Sequence, residues 1–285
     1  MLIYLNGQFL PREQATISVD DRGFLFGDSL YEVIRSYRGF LFEKDAHLRR
    51  LQNGLQALRI EVSPFERLAD IAMQLLRENK LAEAEATVYF QITRGPAQPR
   101  KHAFPSSPVP PTIYVAANPL QPNLAWAERG LAAITMPDLR WGRCDLKTTN
   151  LLPNVLANQQ AHETGADEAI FVRDGIIVEG SHSNVFAVLD GVVTTHPLTP
   201  ILLPGITRQV VLDLCRTLGL PYQESPFTLS ELKKAGEVFI TFTSGEVTPV
   251  VSIDQSEAWN GRPGVITRRL QEAFREYVQA TKSSS

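Results

Sequence analysis

The chain of 285 residues holds 28 Lys and Arg against 31 Asp and Glu, a formal net charge of −3, with 44% hydrophobic and 21% charged residues. This is the composition of a soluble globular protein with one large domain or two of ordinary size, and its charge balance argues against a nucleic-acid or anionic-membrane surface. The two cysteines, Cys144 and Cys215, form no CxxC pair, and the five histidines show no HxxxH or HExxH spacing, so a reduced cytoplasmic protein without disulfide or metal centre is expected.

The opening Met1-Leu2-Ile3-Tyr4-Leu5-Asn6-Gly7 has neither the basic start nor the long apolar stretch of a signal peptide. No later apolar run reaches the ~18 residues of a membrane span. Residues 2–5 read as a strand entering a hairpin turn at Asn6-Gly7. Asp45 is placed to cap a helix whose Leu48, Leu51, Leu55 and Leu58 share one face. Ser63-Pro64-Phe65-Glu66 has capping-box spacing with proline at the first helical position, and Leu68, Ile71 and Leu75 continue the stripe. Residues 87–93 and 112–117 read as strands around a proline-rich loop, 96–111. Asn118-Pro119-Leu120-Gln121-Pro122-Asn123 favours an extended connector. It divides an N-terminal α+β domain (1–118) from a C-terminal domain (125–285) through a linker at 119–124.

Beyond the linker, two hairpins are signalled by Arg173-Asp174-Gly175 and Asp190-Gly191. Residues 153–163 suit a helix ended by Gly165, and 207–218 another ended by Gly219. Thr228-Leu229-Ser230-Glu231 is a second capping box. A last helix carries Ile266, Leu270 and Phe274, and Lys282-Ser283-Ser284-Ser285 is expected to fray.

Five stretches could carry chemistry, although each alone also suits a solvated loop or an ordinary cap. Lys147 follows Arg140 and Arg143, and neighbouring cations disfavour an ammonium. Glu179-Gly180-Ser181-His182-Ser183-Asn184 aims one anion and several donors at a polar ligand. Leu203-Pro204-Gly205-Ile206-Thr207-Arg208 opens a helix, where free N–H groups make an anion site; Thr207 also suits the cap itself. Thr241-Phe242-Thr243-Ser244-Gly245-Glu246 offers similar donors. Arg100 and His102, in the proline-bounded loop, suit a carboxylate. No Walker or dinucleotide fingerprint is present.

Together with Asp21-Arg22-Gly23-Phe24-Leu25-Phe26-Gly27-Asp28-Ser29-Leu30-Tyr31-Glu32, these stretches resemble the pyridoxal-phosphate enzymes of fold type IV, the class IV aminotransferases, in order and separation over the whole chain. The resemblance implies a two-domain α/β and α+β fold with the cofactor between the domains. It implies that Lys147 holds pyridoxal 5′-phosphate as an imine and moves the substrate proton. Glu179 would keep the pyridine nitrogen protonated, and Arg50 would pair with the phosphate beside Gly205, Ile206, Thr207 and Thr243. Ser181 would join the cofactor contacts, and Leu203 would pack against the ring. Ping-pong aldimine and ketimine chemistry would follow.

Within the family, Tyr89-Phe90-Gln91-Ile92-Thr93-Arg94-Gly95 and Pro99-Arg100-Lys101-His102-Ala103-Phe104-Pro105 resemble the D-amino-acid aminotransferases. There Arg100, His102 and Tyr31 would trap the α-carboxylate, with Ser244 also at the substrate, and the loop would reach over from a second subunit of a homodimer. The implied exchange is of the D-alanine and 2-oxoglutarate type, between D-amino acids and 2-oxo acids, without a nucleic-acid or membrane partner. His182 departs from the subgroup, which has a small hydroxyl residue there, and a titratable ring near the substrate would alter the choice among D-amino acids. The rival assignments are a branched-chain L-amino-acid aminotransferase, an aminodeoxychorismate lyase, and a module that binds the cofactor without turnover.

Overall fold

The computed structural model describes residues 1–257 and 261–283, which divide into two compact units. The first comprises Met1–Gln121 with Leu146–Asn150, and the second holds the other described residues.

In the first unit, β1 (Leu2–Leu5) turns back into β2 (Gln8–Pro11) at Asn6 and Gly7, both at positive φ. Asn-Gly tolerates the mirror-image turn that matches strand twist. A single helical turn, α1 (Arg22–Phe26), is capped by the Asp21 carboxylate, which accepts from the Gly23 N–H. It leads into β3 (Ser29–Tyr37) and β4 (Phe40–Leu41). Helices α2 (Lys44–Leu58) and α3 (Arg67–Glu78) follow, then β5 (Glu85–Thr93) and β6 (Thr112–Pro119). The strands order as β2-β1-β6-β5-β3-β4, every pairing antiparallel. Side-chain alternation sends Leu30, Ile34, Val88, Phe90 and Ile92 to one face, where Leu51 and Leu55 of α2 and Leu68, Ile71 and Leu75 of α3 close the core. Gly54 permits the close approach of α2, since a Cβ there would lie 2.9 Å from the Leu30 side chain.

Two helix starts differ from expectation. Glu43, not Asp45, precedes α2; it makes no side-chain cap, and Asp45 sits inside the first turn, where its charge complements the helix dipole. Residues 63–66 form a turn and α3 starts only after Glu66, without a side-chain cap, so Ser63 and Glu66 precede the helix instead of framing its first turn; the Leu68 N–H donates to the Phe65 carbonyl at 3.1 Å.

In the second unit, α4 (Leu124–Arg129) and β7 (Leu131–Pro137) precede α5 (Leu152–Glu163), β8 (Glu168–Arg173) and β9 (Ile176–Gly180). Next come β10 (Asn184–Leu189), β11 (Val192–Thr195), α6 (Ile206–Thr217) and β12 (Tyr222–Glu224). The unit ends with α7 (Leu229–Leu232), β13 (Glu237–Phe242), β14 (Glu246–Ile253), β15 (Ser256–Glu257) and α8 (Val265–Ser283). Among the described residues the mixed sheet runs β12-β11-β10-β13-β14-β7-β8-β9, with β15 on β14. Its core gathers Ile170, Ile177, Val185, Ile240 and Val250, and α6 and α8 pack against β13. The Thr228 and Glu231 capping box forms reciprocally. Lys282 and Ser283 remain helical where fraying was expected, and Ser284 and Ser285 lie outside the described residues. No helix among the described residues is long and apolar enough to cross a membrane.

The chain leaves the first unit after Gln121, yet Leu146–Asn150, expected inside a C-terminal domain of residues 125–285, groups with the first unit. Backbone pairing explains this. The Tyr31 N–H donates to the Lys147 carbonyl at 2.9 Å, the Thr149 N–H to the Ser29 carbonyl at 3.3 Å, and Leu30 bridges Thr148. Leu146 packs against the first unit's core.

Candidate active site

That pairing fixes Lys147 beside β3, with its ammonium Nζ 4.2 Å from the centroid of the Tyr31 ring. Tyr31 stacks on Tyr89 at 5.8 Å, and the Tyr89 hydroxyl donates to Gln91 Oε1 at 2.7 Å. Burial, then the neighbouring Tyr31 and Tyr114, pushes the Tyr89 hydroxyl upward from its ordinary range.

One residue further along β3, Glu32 is fully buried. Its carboxylate accepts from Arg50 Nε at 2.8 Å and Nη2 at 2.7 Å and from the Val33 N–H at 2.9 Å, and it lies 3.0 Å from His47 Nδ1. Burial works to raise Glu32, but Arg50 and His47 together hold it well below the usual carboxylate range. Burial lowers His47, against the pull of Glu32. The arrangement locks the Arg50 guanidinium on α2 in one orientation. Sequence reasoning missed Glu32 and His47. The available signal was Glu32 itself, a charge on the core face between Leu30 and Ile34, where an ion requires a partner.

The 96–111 loop is irregular, as expected, and leaves Arg100 and His102 exposed. Both lie at the Phe26 ring of α1: the Arg100 guanidinium carbon is 4.5 Å from its centroid, and the His102 ring meets it edge-on at 5.5 Å.

In the second unit, Glu179 near the end of β9 is buried. Its Oε2 accepts from the Leu203 N–H at 3.0 Å and Asn184 Nδ2 at 3.2 Å, and Oε1 accepts from Arg140. Arg140 in turn binds Asp138 through Nε at 2.8 Å and Nη2 at 3.0 Å. Burial pushes Glu179 up to about 7 against the pull of these donors. The cations expected to act on Lys147 therefore have their own carboxylates: Arg140 pairs with Asp138 and Glu179, and Arg143 with Asp145 at 2.8 Å.

Gly205 is the N-cap of α6 and supplies no side-chain cap; Thr207 is inside the helix rather than its cap. The first N–H groups of α6 are thus left for another acceptor. A Cβ at Gly205 would fall 2.0 Å from Asn184 Oδ1, so only glycine fits there. Thr243 and Ser244 occupy the tight turn between β13 and β14, closed by the Gly245 N–H donating to the Phe242 carbonyl at 3.2 Å.

Ser181 turns toward Glu168, donating its hydroxyl at 2.5 Å and its N–H at 3.0 Å. His182 Nδ1 lies 3.2 Å from Glu168 Oε2, and its ring meets Phe242 edge-on at 5.0 Å. Burial works to raise Glu168, but His182, Ser181 and Ser183 bring it below its ordinary value. Glu168 was not anticipated, although a carboxylate opening the apolar run Glu168-Ala169-Ile170-Phe171-Val172 is again a charge inside a core.

These donors suit pyridoxal 5′-phosphate. The first unit offers a lysine amine and an arginine fixed by a buried carboxylate, of the types its aldehyde and phosphate need; the second, taken by itself, offers a helix start without a side-chain cap and a buried carboxylate of raised proton affinity, of the types its phosphate and pyridine nitrogen need.

The family model for amino-transferase class IV matches residues 29–253. D-alanine aminotransferases from Staphylococcus epidermidis and Bacillus licheniformis are each 41% identical over 279 residues, covering 98% of this chain and 98% and 97% of theirs. Among solved structures, the Escherichia coli branched-chain amino acid aminotransferase superposes with a TM-score of 0.88 at 30% identity, covering 96% of this chain and 93% of its own. The branched-chain amino acid aminotransferase of Thermoproteus uzoniensis, solved with norvaline, gives 0.86 at 27% identity over 96% and 93%. With its fold, its full-length similarity and this donor set in agreement, the chain belongs to the class IV aminotransferases.

Proposed function

We propose that this chain is a pyridoxal 5′-phosphate-dependent aminotransferase of D-amino acids, exchanging D-alanine and 2-oxoglutarate for pyruvate and D-glutamate, as a cytoplasmic homodimer. The 41% identity to D-alanine aminotransferases over 98% of both chains carries this assignment. The branched-chain enzymes match at 30% and 27%, and an L-branched-chain substrate leaves the Arg100 and His102 pair without a role. Both cysteines are free and buried, which accords with a reducing compartment.

Once bound, the cofactor supplies an electron sink for the charge left at Cα when its proton departs. Lys147 would hold the group covalently, and its amine would be the base that moves the substrate Cα proton. Tyr31 orients that amine. Glu179 keeps a proton on the pyridine nitrogen, and its raised proton affinity suits a shared proton. Arg50, the Ile206 and Thr207 N–H groups and the Thr243 hydroxyl bind the phosphate, with Gly205 giving close approach. Leu203 would pack against the cofactor ring, and Ser181 is held by Glu168. With Lys147 fixed, the side that accepts the α-carboxylate decides which enantiomer points its Cα–H at the amine. Arg100, His102 and Tyr31 take that carboxylate, the loop coming from the second subunit, and Ser244 and His182 border the substrate side chain.

A donor panel in both enantiomeric series, with and without 2-oxoglutarate, tests the assignment. Turnover of D-alanine that requires the oxo acid is expected. Preference for L-leucine would move the chain to the branched-chain enzymes, and pyruvate release without an oxo acid to the lyases.

A further inference from the structure

The loop bearing Arg100 and His102 spans residues 96–111 without regular structure, and both side chains are exposed. Long cationic side chains on such a loop sample many rotamers, and fixing them on binding opposes affinity. Here the loop is held from below. Arg22, only 5% exposed, donates to three successive carbonyls, Lys101 through Nη1 at 2.7 Å, His102 through Nη2 at 3.1 Å and Ala103 through Nη1 at 3.3 Å. Its Nε binds Asp28 Oδ2 at 2.8 Å, and Asp28 also binds Arg94 through 2.8 Å and 3.0 Å bonds. Further on, Phe104 lies over the Arg94 guanidinium at 3.6 Å and the Arg59 guanidinium at 4.8 Å. The backbone on either side of His102 is therefore fixed, and what remains to be set is the direction of the two basic heads.

We infer that Phe26 sets it: its ring on α1 is a shared platform that stacks the Arg100 guanidinium and abuts the His102 imidazole, presenting both as one prealigned grip for a carboxylate. The ring also faces Arg22, whose guanidinium carbon is 4.8 Å from the centroid, so the group that pins the loop backbone and those that face solvent meet at one side chain. The geometry suits the physics. A guanidinium within about 6 Å of a ring centroid is attracted to the π face, and an edge-on imidazole is a favourable aromatic contact. Phe26 touches neither reacting atoms nor, on this account, the carboxylate itself. It is a positioning residue, and the inference rests on the proposed role of Arg100 and His102 in holding the α-carboxylate.

The test measures the inhibition constant of acetate, a carboxylate without an amine, against D-alanine turnover, together with KM, kcat and the affinity of the apoprotein for pyridoxal 5′-phosphate. Phe26→Leu removes the π face. Two contacts of this kind predict a rise of about five- to thirtyfold in acetate Ki and D-alanine KM, with kcat and cofactor affinity within about twofold. Phe26→Tyr, which keeps the ring, should behave as the parent. If Phe26→Leu does not fold, Phe26→Met supplies apolar volume without a ring and should show the same split. Arg100→Ala and His102→Ala separate the two possible failures. If they raise acetate Ki and the Phe26 variants do not, the platform is refuted while the grip stands. If neither raises it, the grip itself is wrong and the platform falls with it. Equal losses in KM, kcat and cofactor affinity would make Phe26 a structural residue only.

Discussion

Removing the Glu32 carboxylate tests how the first unit holds Arg50, the arginine proposed to bind the cofactor phosphate. Glu32 is fully buried and takes two Arg50 bonds at 2.8 Å and 2.7 Å, the Val33 N–H at 2.9 Å and His47 at 3.0 Å. In Glu32→Ala the side chains of His47 and Arg50, 2% and 11% exposed, lose that partner. Breaking a buried pair by deleting one member costs about 3–5 kcal/mol. For a chain of this size that predicts a fall of about 6–20 °C in Tm. Arg50, no longer held in one rotamer, should lose about 10- to 150-fold in cofactor affinity, the worth of one charge-assisted hydrogen bond. Glu32→Gln, which keeps the shape but not the charge, should fall between parent and Glu32→Ala. The pH dependence has a definite sign. Glu32 is depressed below 4.5, so its stabilisation is complete above that value and is lost progressively as pH falls further. Urea denaturation should therefore show the parent–variant gap constant near pH 7 and shrinking below about pH 4.5. A Glu32→Ala protein within about 1 kcal/mol of the parent and with unchanged cofactor affinity would refute the locking of Arg50 by this carboxylate.

Lys147→Ala should abolish turnover and the visible absorbance of the cofactor-loaded protein while leaving its fold intact by circular dichroism. Gly205→Ala, whose new Cβ would meet Asn184 Oδ1 at 2.0 Å, should displace the start of α6 and weaken cofactor binding in an apoprotein titration, with a smaller effect on stability. His47 is lowered below 6.5 by burial, so its contribution opposes folding as pH falls below that value; His47→Gln should flatten the pH–stability curve there in urea melts. His182→Ser should change the ratio of rates on D-alanine and D-glutamate, and an unchanged ratio would confine His182 to its contacts with Glu168 and Phe242.

The hairpins at Asn6-Gly7 and Asp190-Gly191 were legible because turn chemistry is local: both demand residues that accept positive φ. Capping boxes were less so. Thr228 and Glu231 close theirs, whereas Ser63 and Glu66, at the same spacing, lie in a turn and the helix begins only at Arg67. The motif specifies an available bond, not the residue at which the helix begins. Short elements such as α1 and β4 carry too little periodicity to stand out. The residues proposed to touch a ligand came from the family resemblance, which named none of the buried carboxylates that hold them. Glu32 lies 18 residues from Arg50, and Glu168 lies 13 from Ser181; neither pair shares an element whose period would bring them together. A charge inside an apolar strand is the sequence trace such partners leave.

The excursion of Leu146–Asn150 has a consequence for the order of synthesis. Translation delivers residues 1–121 first, but the pairing that completes the edge beside Ser29, Leu30 and Tyr31 comes from residues made after β7. The N-terminal half therefore emerges from the ribosome with an open seam, and Lys147 arrives only as that seam is stitched. A protease cut in the connector would leave Ser29, Leu30 and Tyr31 on a different fragment from residues 147–149 that pair with them, and a genetic exchange of halves at that point would supply those partners from another sequence.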